Sequence, residues 1–309
     1  MLTVLINGGL GNQLFQVFAT LAAAIRNGDT CYFLHTMRDA SGKRATYWNS
    51  LFHALKPMTV LPTQANVQRF MQLPTHQETS FRYNKIPSKT AMNSAPLKLV
   101  GYFQSDKYFT DVRDQIYANL QLLEQQRSIR TAFAESAWFS RDTTVTVAVH
   151  FRIGDYAAIQ EAHPILTLDY YRDALKHVIQ HAPIKDAAIN DAHHGKINVL
   201  IFNQACDSAI VLDHMHKLNA DPAFTARCRF HKVPDMFDDW KQMLLMSVCD
   251  HNIIANSTFS WWSAYLNQNP DKVVCYPGTW FGPALKKHDT RDLFPKEWIK
   301  VNSLLRPPP

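Results

Sequence analysis

The sequence predicts an α/β protein made of two units, each with a parallel sheet covered by helices on both faces. Three observations predict it. The chain opens with a strand, a glycine turn, a helix and a second strand. Its second half alternates strands with helices at the spacing of a doubly wound sheet. At 309 residues, the chain is long enough for about two domains of roughly 150 residues each.

In order along the chain, Leu2 to Ile6 is a short apolar run that reads as a buried strand. A glycine turn follows, then a helix from about Asn12 to Arg26, closed by Asn27-Gly28, and a second strand around Cys31 to Leu34. From Thr36 to Ser94 the pattern weakens, because Pro57, Pro62, Pro74, Pro87 and Pro96 cut it into short helices and loops. Leu97 to Phe103 is a strand. Asp111 to Trp138 contains no proline and carries apolar Val112, Ile116, Leu120, Leu123 and Ile129, which predicts one helix. A boundary near Arg141-Asp142-Thr143 divides the chain into domains 1–142 and 143–309.

The second domain starts with alternating Val145, Val147, Val149 and Phe151, a strand that ends at Arg152-Ile153-Gly154-Asp155. Helices are predicted over Leu168 to Gln180, Ser208 to Lys217, Asp238 to Asp250 and Ser257 to Asn267. Strands are predicted over Ile197 to Phe202, Cys228 to Val233, Asn252 to Ala255 and, as the last one, Lys272 to Tyr276. Two such domains would leave a ligand cleft at the carboxyl ends of their strands.

Composition narrows the function. Hydrophobic residues at 46 % and charged residues at 19 % exclude a disordered chain, and the glycine and proline content excludes a collagen-like one. Five scattered cysteines never spaced C-x-x-C argue against a disulfide framework or a structural zinc, and fit a reducing cytosol. The apolar run Leu14 to Ile25 lacks the basic residues that precede a signal peptide's core, and is too short for a bilayer span of about 20 residues. A net charge of +6 suits an anionic partner: a nucleotide, a nucleic acid or an acidic membrane.

Gly8-Gly9-Leu10-Gly11-Asn12-Gln13 lies between strand and helix, where backbone N–H groups can face an anion; it would equally serve as a plain tight turn. The dinucleotide fingerprint fails, because Leu14 stands where a third glycine is needed and His35 where an acid is needed. No Walker sequence is present. His150 and Arg152 occupy alternate positions at the end of a strand, so they share a face. Arginine suits phosphate, although an Arg152–Asp155 pair bracing the loop is the competing reading. Asn256-Ser257-Thr258 opens a helix and can cap it or donate to phosphate, with Trp261-Trp262 as anchor or pocket wall.

His177 and His181, four apart, lack the third ligand of a metal site, and no D-x-D occurs. Lys286-Lys287-His288 has none of the interleaved aromatics of a nucleic-acid groove, so no nucleic-acid partner is expected.

Taken together, Gly8 to Gln16, His150 to Tyr156 and Asn256 to Trp262 resemble the α-1,2-fucosyltransferases of glycosyltransferase family 11. Gly101-Tyr102-Phe103-Gln104, Met243 to Met246 and Trp280-Phe281-Gly282 add to the resemblance. It implies a GT-B-like pair of Rossmann-type domains facing a cleft, the C-terminal one binding GDP-fucose, and inversion without a metal. Arg152 would then hold the β-phosphate and stabilise departing GDP, His150 would shape the donor pocket, and Ser257 and Thr258 would bind phosphate beside Asn256. Gly11, Asn12 and Gln13 would face the sugar.

The resemblance also implies a β-galactoside acceptor in a surface glycan, either free or carried on a lipid, with at most peripheral membrane contact. Asp155 and His150 are the candidates for general base. The chain departs from the family pattern at Ile153, where a second arginine is usual, and at Gln242, where an aspartate for guanine is usual. Gln242 would still accept from guanine through its amide carbonyl, without charge assistance.

Overall fold

The computed structural model describes residues 1–88, 90–91, 93, 95–134, 136, 145–181 and 197–302. The chain forms two compact units: unit 1 holds Met1–Glu124 with Lys287–Pro295, and unit 2 holds Gln125–Lys286 with Lys296–Pro309. The division falls inside a helix, ahead of the Arg141-Asp142-Thr143 segment chosen from the sequence, which lies outside the described residues.

Unit 1 begins with β1 (Leu2–Val4) and α1 (Leu10–Arg26), whose N-cap is Gly9, so the helix starts two residues before Asn12. Its buried face is a dense run of Leu14, Phe15, Val17, Phe18 and Leu21. The second strand contracts to β2 (Phe33–Leu34), with Cys31 making a single parallel bridge to Leu2. β2 pairs in parallel with β3 (Thr59–Val60). α2 (Gln64–Gln72) follows, capped by the Thr63 hydroxyl, then β4 (Thr75–Gln77) and β5 (Leu97–Val100). The main sheet runs β1-β5-β4, all parallel.

The sequence reading of Thr36 to Ser94 as helices and loops missed β3 and β4. Both are two- or three-residue strands with no buried side chain, so neither carries an apolar signature. The helix expected over Asp111 to Trp138 is also corrected. It divides into α3 (Arg113–Asn119) and α4 (Leu122–Phe133), because Gln121 adopts φ +53, a left-handed conformation that no α-helix can carry through. Trp138 lies outside the described residues.

The returning segment 287–295 completes unit 1 through Asp292. This buried carboxylate accepts from Arg82 Nε (2.9 Å), the Tyr83 N–H (3.2 Å) and Lys107 Nζ. Burial pushes its pKa up, but the Lys107 and Arg82 side chains and the Tyr83 N–H outweigh that and hold it below the usual carboxylate range.

Unit 2 is a six-stranded parallel sheet. Its elements are β6 (Thr146–His150), α5 (Leu168–His181), β7 (Ile197–Phe202), α6 (Ser208–Asn219), α7 (Pro222–Thr225) and β8 (Cys228–Lys232). They are followed by α8 (Asp239–Ser247), β9 (His251–Ile253), α9 (Thr258–Leu266), β10 (Val274–Pro277) and β11 (Ile299–Val301). β11 was not foreseen; three residues, one of them exposed Lys300, give too little pattern to read.

The strand order is β11-β10-β9-β6-β7-β8. The chain therefore builds outward from β6 through β7 to β8, then returns to the other side of β6 with β9. That reversal is the topological switch point at which doubly wound sheets hold ligands. Val147, Val149, Ile197, Val199, Ile201 and Ile253 form the middle of its core with Tyr170, Tyr171 and Leu175 of α5. The α/β class with parallel sheets in two units is as the sequence predicts.

Candidate active site

The switch point lies between β6 and β9, whose register pairs Val147 with His251 and Val149 with Ile253. Two loops therefore leave the sheet side by side at its carboxyl edge, one through His150 to Asp155 and the other through Ile254 to Thr258. β7 joins them, since His150 pairs with Phe202 and the Phe151 N–H donates to the Phe202 carbonyl at 2.8 Å. The two sequence motifs of this half, His150 to Tyr156 and Asn256 to Trp262, thus meet in space beside the end of β7.

His150 is buried, with its ring 5.3 Å from that of Phe259, and its Nδ1 has no hydrogen-bond partner among the described residues. Burial, with Arg152 nearby, pulls its pKa down to about 3, so the ring is neutral at physiological pH. Arg152 donates from Nη2 to Asp155 Oδ1 at 2.6 Å, and its guanidinium lies 5.1 Å from the centre of the Tyr156 ring. Its Nε has no partner among the described residues. The Asp155 brace weighed from the sequence is therefore present.

Tyr156 extends the brace to the other loop: its hydroxyl donates to the Asn256 carbonyl at 3.0 Å. Gly154, at φ +20, gives its N–H to both oxygens of buried Asp207 (2.9 and 3.0 Å), and a Cβ there would meet Gln204 Oε1 at 2.1 Å. Neither Tyr156 nor Asp207 was given a role from the sequence. A carboxylate a few residues beyond the end of β7, facing a glycine-bearing loop, is the signal that would have found Asp207.

Ser257 caps α9, its hydroxyl accepting from the Phe259 N–H at 3.3 Å, and Thr258 is the first helical residue. Buried Asn256 donates from Nδ2 to the carbonyls of Pro164 (2.9 Å) and Trp280 (3.3 Å), while its Oδ1 has no partner among the described residues. Trp261 and Trp262 are fully buried in a T-shaped pair, 5.1 Å between centroids, so they anchor α9 rather than line a pocket.

Gln242 lies on α8, where its Nε2 donates to the Phe237 carbonyl at 2.8 Å. Ile153 is buried in the hydrophobic core with Phe151 and Leu166. An arginine at that position would displace core packing, so the departure from the family pattern is built into the fold.

In unit 1 the glycine turn is fixed by its own contacts. Gly8 takes φ +87, and a Cβ there would meet Asn12 Nδ2 at 2.6 Å. Its N–H donates to Asp39 Oδ2 at 2.9 Å. Burial pushes the Asp39 pKa up, but the N–H groups of Gly8, Arg44 and Lys43 and the Ser41 hydroxyl together hold it below the usual range.

Gly11 is buried in the first turn of α1, and Asn12 Oδ1 accepts from Gln104 Nε2 at 3.1 Å. Gln13, expected to face the sugar, has its amide divided: the fold uses Nε2, and Oε1 has no hydrogen-bond partner among the described residues. It is buried, and its Nε2 donates to the carbonyls of Gly8 (2.9 Å) and Ala45 (2.7 Å), so it ties the turn to the next loop.

Among the described residues no group of three or more His, Cys, Asp or Glu is placed to hold a metal ion, and no helix is long and apolar enough to cross a membrane. His177 and His181 stack with 5.8 Å between ring centres, and His181 Nδ1 meets the His177 carbonyl at 2.8 Å.

Residues 1–302 match the sequence model of glycosyl transferase family 11. An O-antigen biosynthesis glycosyltransferase, WbnK of Escherichia coli, is 27 % identical, over 96 % of this chain and 99 % of the relative. An alpha-1,2-colitosyltransferase of Escherichia coli is 23 % identical, over 95 % and 96 %. Human galactoside alpha-(1,2)-fucosyltransferase 1 is 24 % identical, over 99 % of this chain and 76 % of its own length. Among solved structures, a fucosyltransferase NodZ from Bradyrhizobium is 13 % identical with a TM-score of 0.45, covering 86 % of this chain and 93 % of that one. With the match running through both units and all three motifs, the chain belongs to glycosyl transferase family 11.

Proposed function

We propose that this glycosyltransferase moves L-fucose, with inversion, from GDP-fucose to the 2-hydroxyl of a terminal β-galactoside in a surface glycan. The observation that carries the reading is the meeting, at the switch point of unit 2, of the Arg152 loop with the Ser257–Thr258 helix start. An arginine facing helix N–H groups and hydroxyls is a diphosphate cradle.

Breaking a glycosyl–phosphate bond through an oxocarbenium-like state needs charge stabilisation on the leaving diphosphate. Arg152 supplies it, held in place by Asp155 and Tyr156. Nδ1 of His150 and Oδ1 of Asn256, without partners among the described residues, are polar groups that a bound donor can satisfy. With Asp155 engaged by Arg152 and His150 too acidic to be an effective base, we assign neither as base. The acceptor proton leaves late in a loose transition state.

Unit 2 is the donor side in this reading and unit 1, through Asn12, the acceptor side. No metal takes part. A second donor is favoured by two observations: core-packed Ile153 stands where the resemblance leads one to expect a cation, and a relative of similar identity is named a colitosyltransferase. Purified protein incubated with GDP-fucose and a panel of β-galactosides in EDTA is expected to release GDP and give an α-1,2-linked product. Turnover only with another nucleotide sugar would replace the donor, and GDP binding without any turnover would make the protein a binding module.

A further inference from the structure

We propose that unit 1 docks on an anionic phospholipid surface through the edge formed by Met37, Leu61 and the loop Arg38–Ala45. Residues 30–77 contain Arg38, Lys43, Arg44, Lys56 and Arg69 against a single acid, Asp39, so this stretch carries most of the chain's net +6. All five cations are exposed. Asp39 is buried, and its oxygens accept from the backbone of Gly8, Lys43 and Arg44 and from Ser41. Its charge is spent inside the loop, and the surface of the loop is positive.

Apolar side chains emerge at the same edge. β2 and β3 are parallel, and the pairing continues past them, with the His35 N–H donating to the Val60 carbonyl at 2.9 Å. The residues that leave their carboxyl ends, Met37 and Leu61, therefore leave together, and they are 69 % and 68 % exposed. The Arg38–Ala45 bridge and the Thr46 N–H on the Met37 carbonyl place the basic loop directly after Met37. Asn66 ties the first turn of α2 to the Leu61 carbonyl at 2.9 Å, and α2 exposes Val67 and Met71 one turn apart, with Arg69 between them.

Exposed aliphatic side chains set among cations match a bilayer interface, where headgroup charge attracts the cations and acyl chains receive the aliphatics. A nucleic acid would need stacking aromatics, and none of the exposed large apolar residues of this stretch is aromatic. Because Asp39 also holds Gly8, the surface adjoins the glycine turn of unit 1.

The test is co-sedimentation of the full chain with vesicles of 30 % phosphatidylglycerol in phosphatidylcholine, and with pure phosphatidylcholine, at low salt. The R38Q/K43Q/R44Q variant is expected to bind about 100-fold more weakly, at about fivefold per charge. M37S/L61S is expected to lose about tenfold or more. The K217Q/R227Q/R229Q variant, which removes as much charge from unit 2, should bind as the parent does. Absence of binding by the parent, equal binding to the neutral vesicles, or an equal loss in the unit 2 variant would each overturn the proposal. Turnover on a soluble galactoside, read on the same preparations, tests the proposed function separately.

Discussion

Two strand-turn-helix corners of this molecule use the same architecture in opposite ways. At the end of β1, Gly8, Asn12 and Gln13 are tied by side-chain hydrogen bonds to Asp39, Gln104 and the Ala45 carbonyl, so the corner is held largely by its own chain, and one buried polar atom, Gln13 Oε1, has no partner among the described residues. At the ends of β6 and β9, His150, Arg152 and Asn256 each keep a buried polar atom without a partner among the described residues. Leaving such a group unmade costs about 1–3 kcal/mol in a folded protein. The difference is one of number: three such atoms gather at the ends of β6 and β9 against one, Gln13 Oε1, at the end of β1, and it is the gathering of polar atoms left over by the fold, more than a glycine turn alone, that marks a ligand site.

The comparison can be broken most sharply at Arg152. Arg152→Ala is expected to lower kcat by about 10²–10³ in a fully folded protein, as when one charge-stabilising donor is removed. Near-normal kcat and donor KM, with unchanged thermal unfolding, would end its assignment. The opposite signature is expected in the unit 1 corner. Gln13→Ala removes both donors to the Gly8 and Ala45 carbonyls and should cost about 2–4 kcal/mol of stability by denaturant unfolding. A stable Gln13→Ala protein with lost turnover would return Gln13 to the ligand.

His150 sharpens the contrast through pH. Its folded pKa, about 3, lies below its ordinary value, so the unfolded chain binds the extra proton; the contribution is complete above about pH 6.5 and lost as pH falls toward 3. Between pH 7 and 5 the parent should lose on the order of 1–2 kcal/mol more than His150→Gln does, and parallel curves would show that the ring is not held neutral. The smallest effect is expected for Tyr156→Phe. It removes the 3.0 Å bond to Asn256 at about 1 kcal/mol and leaves the ring under Arg152, so stability should fall slightly while donor KM rises. A fall in kcat as large as that of Arg152→Ala would make Tyr156 part of the chemistry.

Much of this was legible in the sequence. The alternation of Val145, Val147 and Val149 and the capping Ser257 mark buried strands and a helix start, because burial and capping leave local signatures. His150, Arg152 and Asn256 could be named because strand ends at a doubly wound sheet are where ligands bind. Gln13 could not be sorted from Asn12, since adjacent helix residues point in different directions and only the Ala45 loop shows which of them is enclosed. Asp207 was missed for a related reason: its place just beyond a strand end was readable, but its partner, the Gly154 N–H, is brought to it by the pairing of β6 with β7. β4, β11 and the break at Gln121 depend on long-range pairing or on one dihedral angle, neither of which composition reveals.

The buried carboxylate of Asp292 has a consequence for how the protein is made. Arg82, Tyr83 and Lys107 are synthesised long before the residue that joins them, and a ribosome delivers that residue only after residues 125–286 of unit 2. The first unit to emerge therefore cannot finish first. An N-terminal fragment cut at the unit division would lack its clasp, and the nascent chain must hold that seat open while nearly all of unit 2 is translated.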